Sequence, residues 1–138
     1  MKMVRDLQSH SSTCLPPFIE EAATVAINAG HDLLKKEIGT LKDRRDLAVS
    51  LLKSMKGVKY VQPAGAFYVF IDVRDALGKA KEKLDGYQLS DKLLMQQHIA
   101  LVPGDAFGAP GFLRLSYATD EASIKEGLSR LGKALQEL

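Results

Sequence analysis

Apolar residues recur at alternating four- and three-residue spacing from Leu34 through Ile38, Leu41, Ala48 and Leu52 to Met55, with Arg45 the only polar member of the stripe. That period is helical and predicts one long helix from about His31 to Met55, roughly 37 Å at 1.5 Å per residue. Upstream, "SSTCLPPFIEEAATVAINAG" opens with hydroxyl residues and two prolines, suited to a helix start. It then sets Phe18, Ala22, Val25 and Ala29 on one face before Gly30 ends or bends the helix. From Val58 the period shortens. "VKYV" and "AFYVFIDV" are rich in β-branched and aromatic residues and read as two strand pieces, separated by the turn signal Gln62-Pro63-Ala64-Gly65. The charged "RDALGKAKEKLDG" reads as a solvated loop or short helix, and "YQLSDKLLMQQH" as a helix with Leu89, Leu93 and Leu94 inward. "IALVPG" and "FLRLSYA" are short strands on either side of the glycine-rich loop from Gly104 to Gly111. Thr119 and Asp120 can then cap a last helix carrying Ile124, Leu128, Leu131 and Leu135 on one face.

Helices thus precede and alternate with short strands, which predicts an α+β fold: a small sheet with helices on it. Composition agrees, with 46% hydrophobic and 26% charged residues in 138. This is globular rather than disordered. A net charge of +2 gives no reason to expect nucleic acid or a membrane surface as partner. No apolar run approaches a membrane span, and "MKMVRDLQSH" lacks the apolar centre of a signal peptide. The single cysteine, Cys14, precludes an intrachain disulfide and favours a reducing, cytoplasmic setting.

Most polar residues carry no chemistry by their spacing. His10, His31 and His98 lack metal-ligand spacing and have no Cys or carboxylate cluster beside them, so no metal site is expected. Cys14 lies near a helix start without a paired His or resolving Cys. Asp72 and Asp75 read as a strand-end turn. Lysine and arginine clusters at 35 to 36, 42 to 45 and 79 to 83 read as solvated faces. Gly104, Gly108 and Gly111 match neither the dinucleotide fingerprint nor the P-loop, and a close-packed loop is expected.

Arg114 stands apart. In the strand "FLRLS" side chains alternate, so Phe112, Arg114 and Ser116 share one face and Leu113 and Leu115 the other. A guanidinium is permanently charged, and if that face is enclosed it needs an anion. No acidic residue on the neighbouring strands is an obvious mate. A bound ligand carboxylate would suit its planar fork, and an edge position in water or a glutamate on a helix would serve as well.

Three stretches, "PAGAFYVFIDV", "VPGDAFGAPGFLRLSYA" and the opening "QSHSSTC" with the alanine-rich helix after it, together resemble the C-terminal part of class I pyridoxal-phosphate aminotransferases of the aspartate aminotransferase group, fold type I. The resemblance covers essentially the whole chain. It implies a small, largely antiparallel sheet covered by helices, with residues 1–56 as connecting helices, the long one between domains, and residues 57–138 as a small α/β subdomain. It further implies that Arg114 binds the α-carboxylate of the substrate. Gly65, Ala66 and Phe67, within the loop from Pro63 to Tyr68, are implied to line the pocket, and Ser9 to Thr13 to lie near a dimer interface. The expected activity is amino transfer between an amino acid, aspartate foremost, and a 2-oxo acid such as 2-oxoglutarate, by a homodimer. Related aromatic, alanine and prephenate aminotransferases share the arginine motif, and a non-catalytic folding or interaction module is the reading from another class. The family's Schiff-base lysine segment has no counterpart here. The resemblance therefore implies a fragment without catalytic or cofactor-binding residues of its own, the large domain that holds pyridoxal 5'-phosphate being absent.

Overall fold

The structure is a computed structural model and describes residues 1–12 and 14–138. The chain divides into two compact units, Met1–Ile38 and Gly39–Leu138. In the first, helix α1 spans Lys2–Ser11 and helix α2 spans Pro17–Ala29, neither with a buried residue. Helix α1 had no counterpart in the sequence expectation, although Met3, Val4 and Leu7 stand at helical spacing within its polar stretch. Helix α2 starts as expected, with Pro16 at the N-cap and Pro17 at the first helical position, where a missing N–H costs nothing. Its side chains Phe18 and Val25 are exposed rather than packed.

The predicted long helix is shorter than its stripe. Gly30 takes a φ of +66°, and Gly30–Leu34 winds as 3-10 helix before helix α3 begins at Lys35 and runs to Ser54. Those 20 residues span about 30 Å. Of the stripe, only Ala48 and Leu52 are fully buried, whereas Leu34 and Ile38 are about half exposed. The compact units part at 38/39, and the C-terminal half of α3 is core of the second unit.

That second unit is a four-stranded antiparallel sheet in the order β1-β2-β4-β3, with β1 Lys59–Val61, β2 Tyr68–Asp72, β3 Val102–Pro103 and β4 Phe112–Ser116. The two strand pieces around the Pro-x-Gly turn pair with each other, Tyr60 opposite Ile71. The central pair, β2 and β4, runs in register from Tyr68 opposite Ser116 to Asp72 opposite Phe112. Helix α4, Arg74–Leu77, is a single turn after β2, helix α5 spans Gly86–Gln97, and helix α6 spans Glu121–Gln136.

Alternation in the strands decides what is core. Val69 and Ile71 of β2 and Leu113 and Leu115 of β4 are buried with Leu52 of α3, Leu89 and Leu93 of α5, and Ile124, Leu128, Leu131 and Leu135 of α6. Leu94 is a correction: it stands about 100° round the helix from Leu93 and is 47% exposed, and Ser90 takes the inward place. Helix ends are satisfied locally. Asp85 and Gln88 form a capping box on α5, with 2.8 and 3.0 Å bonds, and Asp120 caps α6 by accepting from the Ser123 N–H at 2.9 Å. His98 closes α5 in the left-handed conformation and is a capping residue, as expected for a histidine without ligand partners.

Candidate functional site

The face of the sheet away from the core places Val61, Phe70, Arg114 and Val102 at one register position across all four strands. Arg114 is therefore central, not at an edge, which removes one of the two bland explanations for its charge. It is half-buried among rings. Its guanidinium carbon lies 4.3 Å from the centroid of the Tyr68 ring and 4.4 Å from that of Phe107. Phe70 meets Phe107 edge-on at 5.9 Å and Phe112 at 6.0 Å, so the cation sits in an aromatic patch.

The glycine-rich loop puts Phe107 there. Gly104–Phe107 forms a turn of 3-10 helix after β3, ended by Gly108 at φ +70°. At Gly104 a β-carbon would stand 2.2 Å from the Ala109 carbonyl oxygen and 2.8 Å from Phe112, so only glycine lets the loop fold back onto β4. This is the close-packed loop expected of the sequence, and its product is an aromatic ring over the arginine.

Charge accounting separates Arg114 from the other arginine on this face. Arg74 lies over Phe112 at 5.1 Å and donates to both carboxylate oxygens of Asp72, at 2.9 and 2.7 Å. The Arg74 side chain holds the Asp72 carboxyl below its ordinary pKa, against burial, which works the other way. Asp75 pairs with Lys59 at 3.4 Å. Both aspartates thus belong to the strand-end turn. Arg114 has the same aromatic seat and no carboxylate: among the described residues its guanidinium makes no ion pair and no hydrogen bond. Ring quadrupoles hold a cation in place without occupying its N–H donors. The result is a fixed, planar donor fork, suited to a carboxylate taken bidentately.

Gly65, Ala66 and Phe67 lie in the loop between β1 and β2 and are exposed. The structure connects Phe67 to the arginine through one ring, its centroid being 4.3 Å from that of Tyr68. The Tyr117 N–H donates to the Phe67 carbonyl at 3.0 Å, extending the β2–β4 ladder to this loop. Of the segment Ser9 to Thr13, Ser9 to Ser11 end α1, and Thr13 lies outside the described residues.

Tyr68 and Phe107 are the neighbours of Arg114 that sequence reasoning did not single out. Tyr68 could be found from strand parity, two positions before Phe70 on the same face. Phe107 could not, because its contact depends on how the loop folds back.

No group of three or more His, Cys, Asp or Glu among the described residues could hold a metal ion. The Arg114 cluster contains a cation and rings but no lysine amine, and Lys59, Lys35 and Lys125 are engaged with Asp75, Asp32 and Glu121 elsewhere. These residues do not by themselves fit an aldehyde cofactor that needs an amine to bond to. A broad groove along the end of α3, α4 and α6, lined by Met55, Val58, Lys79 and Leu128, shares no residue with the cluster.

Comparison with known proteins follows the same lines. The family model described as "Aminotransferase class I and II" matches residues 1–131. The chain is 40% identical over 140 residues to a probable aspartate/prephenate aminotransferase of Aquifex aeolicus, covering 99% of this chain and 34% of that protein. Among solved structures it is similar to the aspartate aminotransferase of Rhizobium meliloti, with a TM-score of 0.83 and 36% identity over 94% of this chain and 34% of the other. It is likewise similar to the aromatic aminotransferase of Pyrococcus horikoshii OT3, at TM-score 0.80 and 32% identity, covering 96% and 35%. The chain therefore spans about a third of the length of the relatives it matches.

Proposed function

Because this chain belongs to the class I and II aminotransferases, we propose that it serves as the substrate-carboxylate-binding part of an aminotransferase of the relatives' full length, with Arg114 as the residue that takes the α-carboxylate. The observation that carries this reading is the Arg114 guanidinium, seated on Tyr68 and Phe107 with no carboxylate of the described residues beside it. An amino acid and the 2-oxo acid made from it share that carboxylate, so one arginine serves both directions of the reaction. Two parallel N–H···O bonds fix the plane of the carboxylate and the C–Cα axis, about which a second attachment of the substrate then sets the Cα–H bond. Orientation of this kind contributes up to about 7–11 kcal/mol to a barrier in favourable cases.

The amino acid in this reading is aspartate and the second oxo acid 2-oxoglutarate, the former in keeping with the names of the relatives. Gly65, Ala66 and Phe67 line the same pocket beside Tyr68. Aminotransferases of this class use pyridoxal 5'-phosphate, which as an electron sink makes the Cα–H bond labile. In our reading that group, its lysine and the side-chain specificity are supplied by the two thirds of the relatives' length that this chain does not span. The working form is a homodimer in the cytoplasm.

The test is Arg114→Ala and Arg114→Lys in the full-length polypeptide. Both should lower kcat/KM for the amino acid by about a hundredfold or more, Lys recovering little because it lacks the planar fork, while cofactor absorbance is unchanged. Near-parental kcat/KM in Arg114→Ala would sink the assignment.

A further inference from the structure

Ala66 has a φ of +57°, in the left-handed region that side chains with a β-carbon disfavour. It is exposed, so core packing does not hold it there. One residue does. Tyr117 is buried, 1% exposed, and its hydroxyl donates to the Ala66 carbonyl at 2.9 Å from 51 positions away in the chain. The N–H of the same residue donates to the Phe67 carbonyl at 3.0 Å. Two consecutive carbonyls are thus taken by one partner, which pins the peptide planes on both sides of Phe67. Burial pushes the Tyr117 phenol pKa up, with Arg45 working against it, so the hydroxyl keeps the proton it donates.

The parity of β4 makes this a link between the two faces of the sheet. Tyr117 follows Leu113 and Leu115 on the core side, and Arg114 and Ser116 stand on the other. From the hydroxyl the contacts run through the Ala66 carbonyl to Phe67, from the Phe67 ring to Tyr68 at 4.3 Å, and from the Tyr68 ring to the Arg114 guanidinium at 4.3 Å. Phenylalanine at this position would fill the same core volume and keep the N–H bond to the Phe67 carbonyl, losing only the hydroxyl's bond to Ala66.

We propose that the Tyr117 hydroxyl is a positioning group: it latches the Gly65–Phe67 loop in its left-handed turn and so sets Phe67 and Tyr68 beside Arg114, tuning the grip on the substrate carboxylate. This rests on the assignment of Arg114 above. The hydroxyl touches no substrate; it acts through the loop.

The experiment uses Tyr117→Phe, Ala66→Gly and the two together. In the 138-residue chain, amide hydrogen exchange of residues 65–68 should quicken by about 5–20-fold in Tyr117→Phe. In the full-length polypeptide the same change should raise KM for the amino acid by about the same factor with little effect on kcat. Glycine takes the left-handed backbone without a tether, so adding Ala66→Gly should recover most of the lost affinity. A general loss of core packing would show no such rescue. Exchange and KM both within about twofold of the parent in Tyr117→Phe would overturn the proposal, as would a defect that Ala66→Gly leaves untouched. Should Tyr117→Phe fail to fold, the double variant decides: folding restored by the added Ala66→Gly supports the latch, and continued failure overturns it. Arg114→Ala run alongside separates the two claims. If it keeps full activity, the carboxylate assignment fails while the exchange measurement still judges the latch.

Discussion

Phe70 stands directly opposite Arg114 in the β2–β4 ladder, and its ring meets Phe107 edge-on at 5.9 Å while Phe107 lies 4.4 Å from the guanidinium. The arginine is therefore held by a strand neighbour and by a loop that the neighbour props up. Its position is set by contact with ring faces, and its guanidinium donors stay unused.

Phe107→Leu keeps an apolar side chain and removes the ring quadrupole. A cation–π contact of this kind is worth about 0.5–2 kcal/mol, so on the proposed function kcat/KM of the full-length polypeptide should fall roughly 2- to 30-fold, mostly through KM. Phe107 is 49% exposed, so the unfolding midpoint should barely move. An unchanged KM would show that the ring does not hold the arginine.

Asp72→Asn tests the strand-end pair. Asp72 accepts from Arg74 through Nε, the guanidinium NH2 and the backbone N–H, and its folded pKa lies below the ordinary value chiefly through the Arg74 side chain. A depressed carboxylate pKa contributes stability that is complete above the unfolded pKa of about 3.9 and is lost as pH falls through the lower folded value. Asn should therefore cost about 1–3 kcal/mol near pH 7, and the gap should narrow below about pH 4. Urea unfolding at several pH values reads this directly, and a gap independent of pH between about 7 and 3 would refute it.

Leu52→Ala and Leu94→Ala form a contrasting pair. Leu52 is 0% exposed within the core, and its truncation should cost about 2–5 kcal/mol by leaving a cavity. Leu94 is exposed on α5, and its truncation should cost within about 0.5 kcal/mol despite its place in an apolar run. Equal midpoints in urea would mean that the burial of α3 is not what stabilises this unit.

What the sequence disclosed was local periodicity. The parity of "FLRLS" placed Arg114 with Phe112 and Ser116, and the period of α6 named all four of its buried residues, because each depends only on the geometry of one element. Leu94 and the N-terminal part of the α3 stripe misled for a physical reason: an apolar residue announces that it can be buried, and only a packed neighbour decides that it is. Helix α1 was legible in Met3, Val4 and Leu7 at helical spacing and was passed over because the stretch is polar overall. Arg114's need for an anion was legible, but its seat was not. That seat joins Tyr68 of β2 to Phe107 of a loop, and the ring that completes it arrives only when Gly104 lets that loop pass close to Phe112.

Strand β3 has only two residues, Val102 and Pro103, and β1 only three, one of them Lys59. Proline has no N–H to offer a further strand, and a lysine beside so short an opposite border discourages one there. The sheet is thus closed to growth at both margins. Addition of a strand from another polypeptide is therefore disfavoured at these two margins.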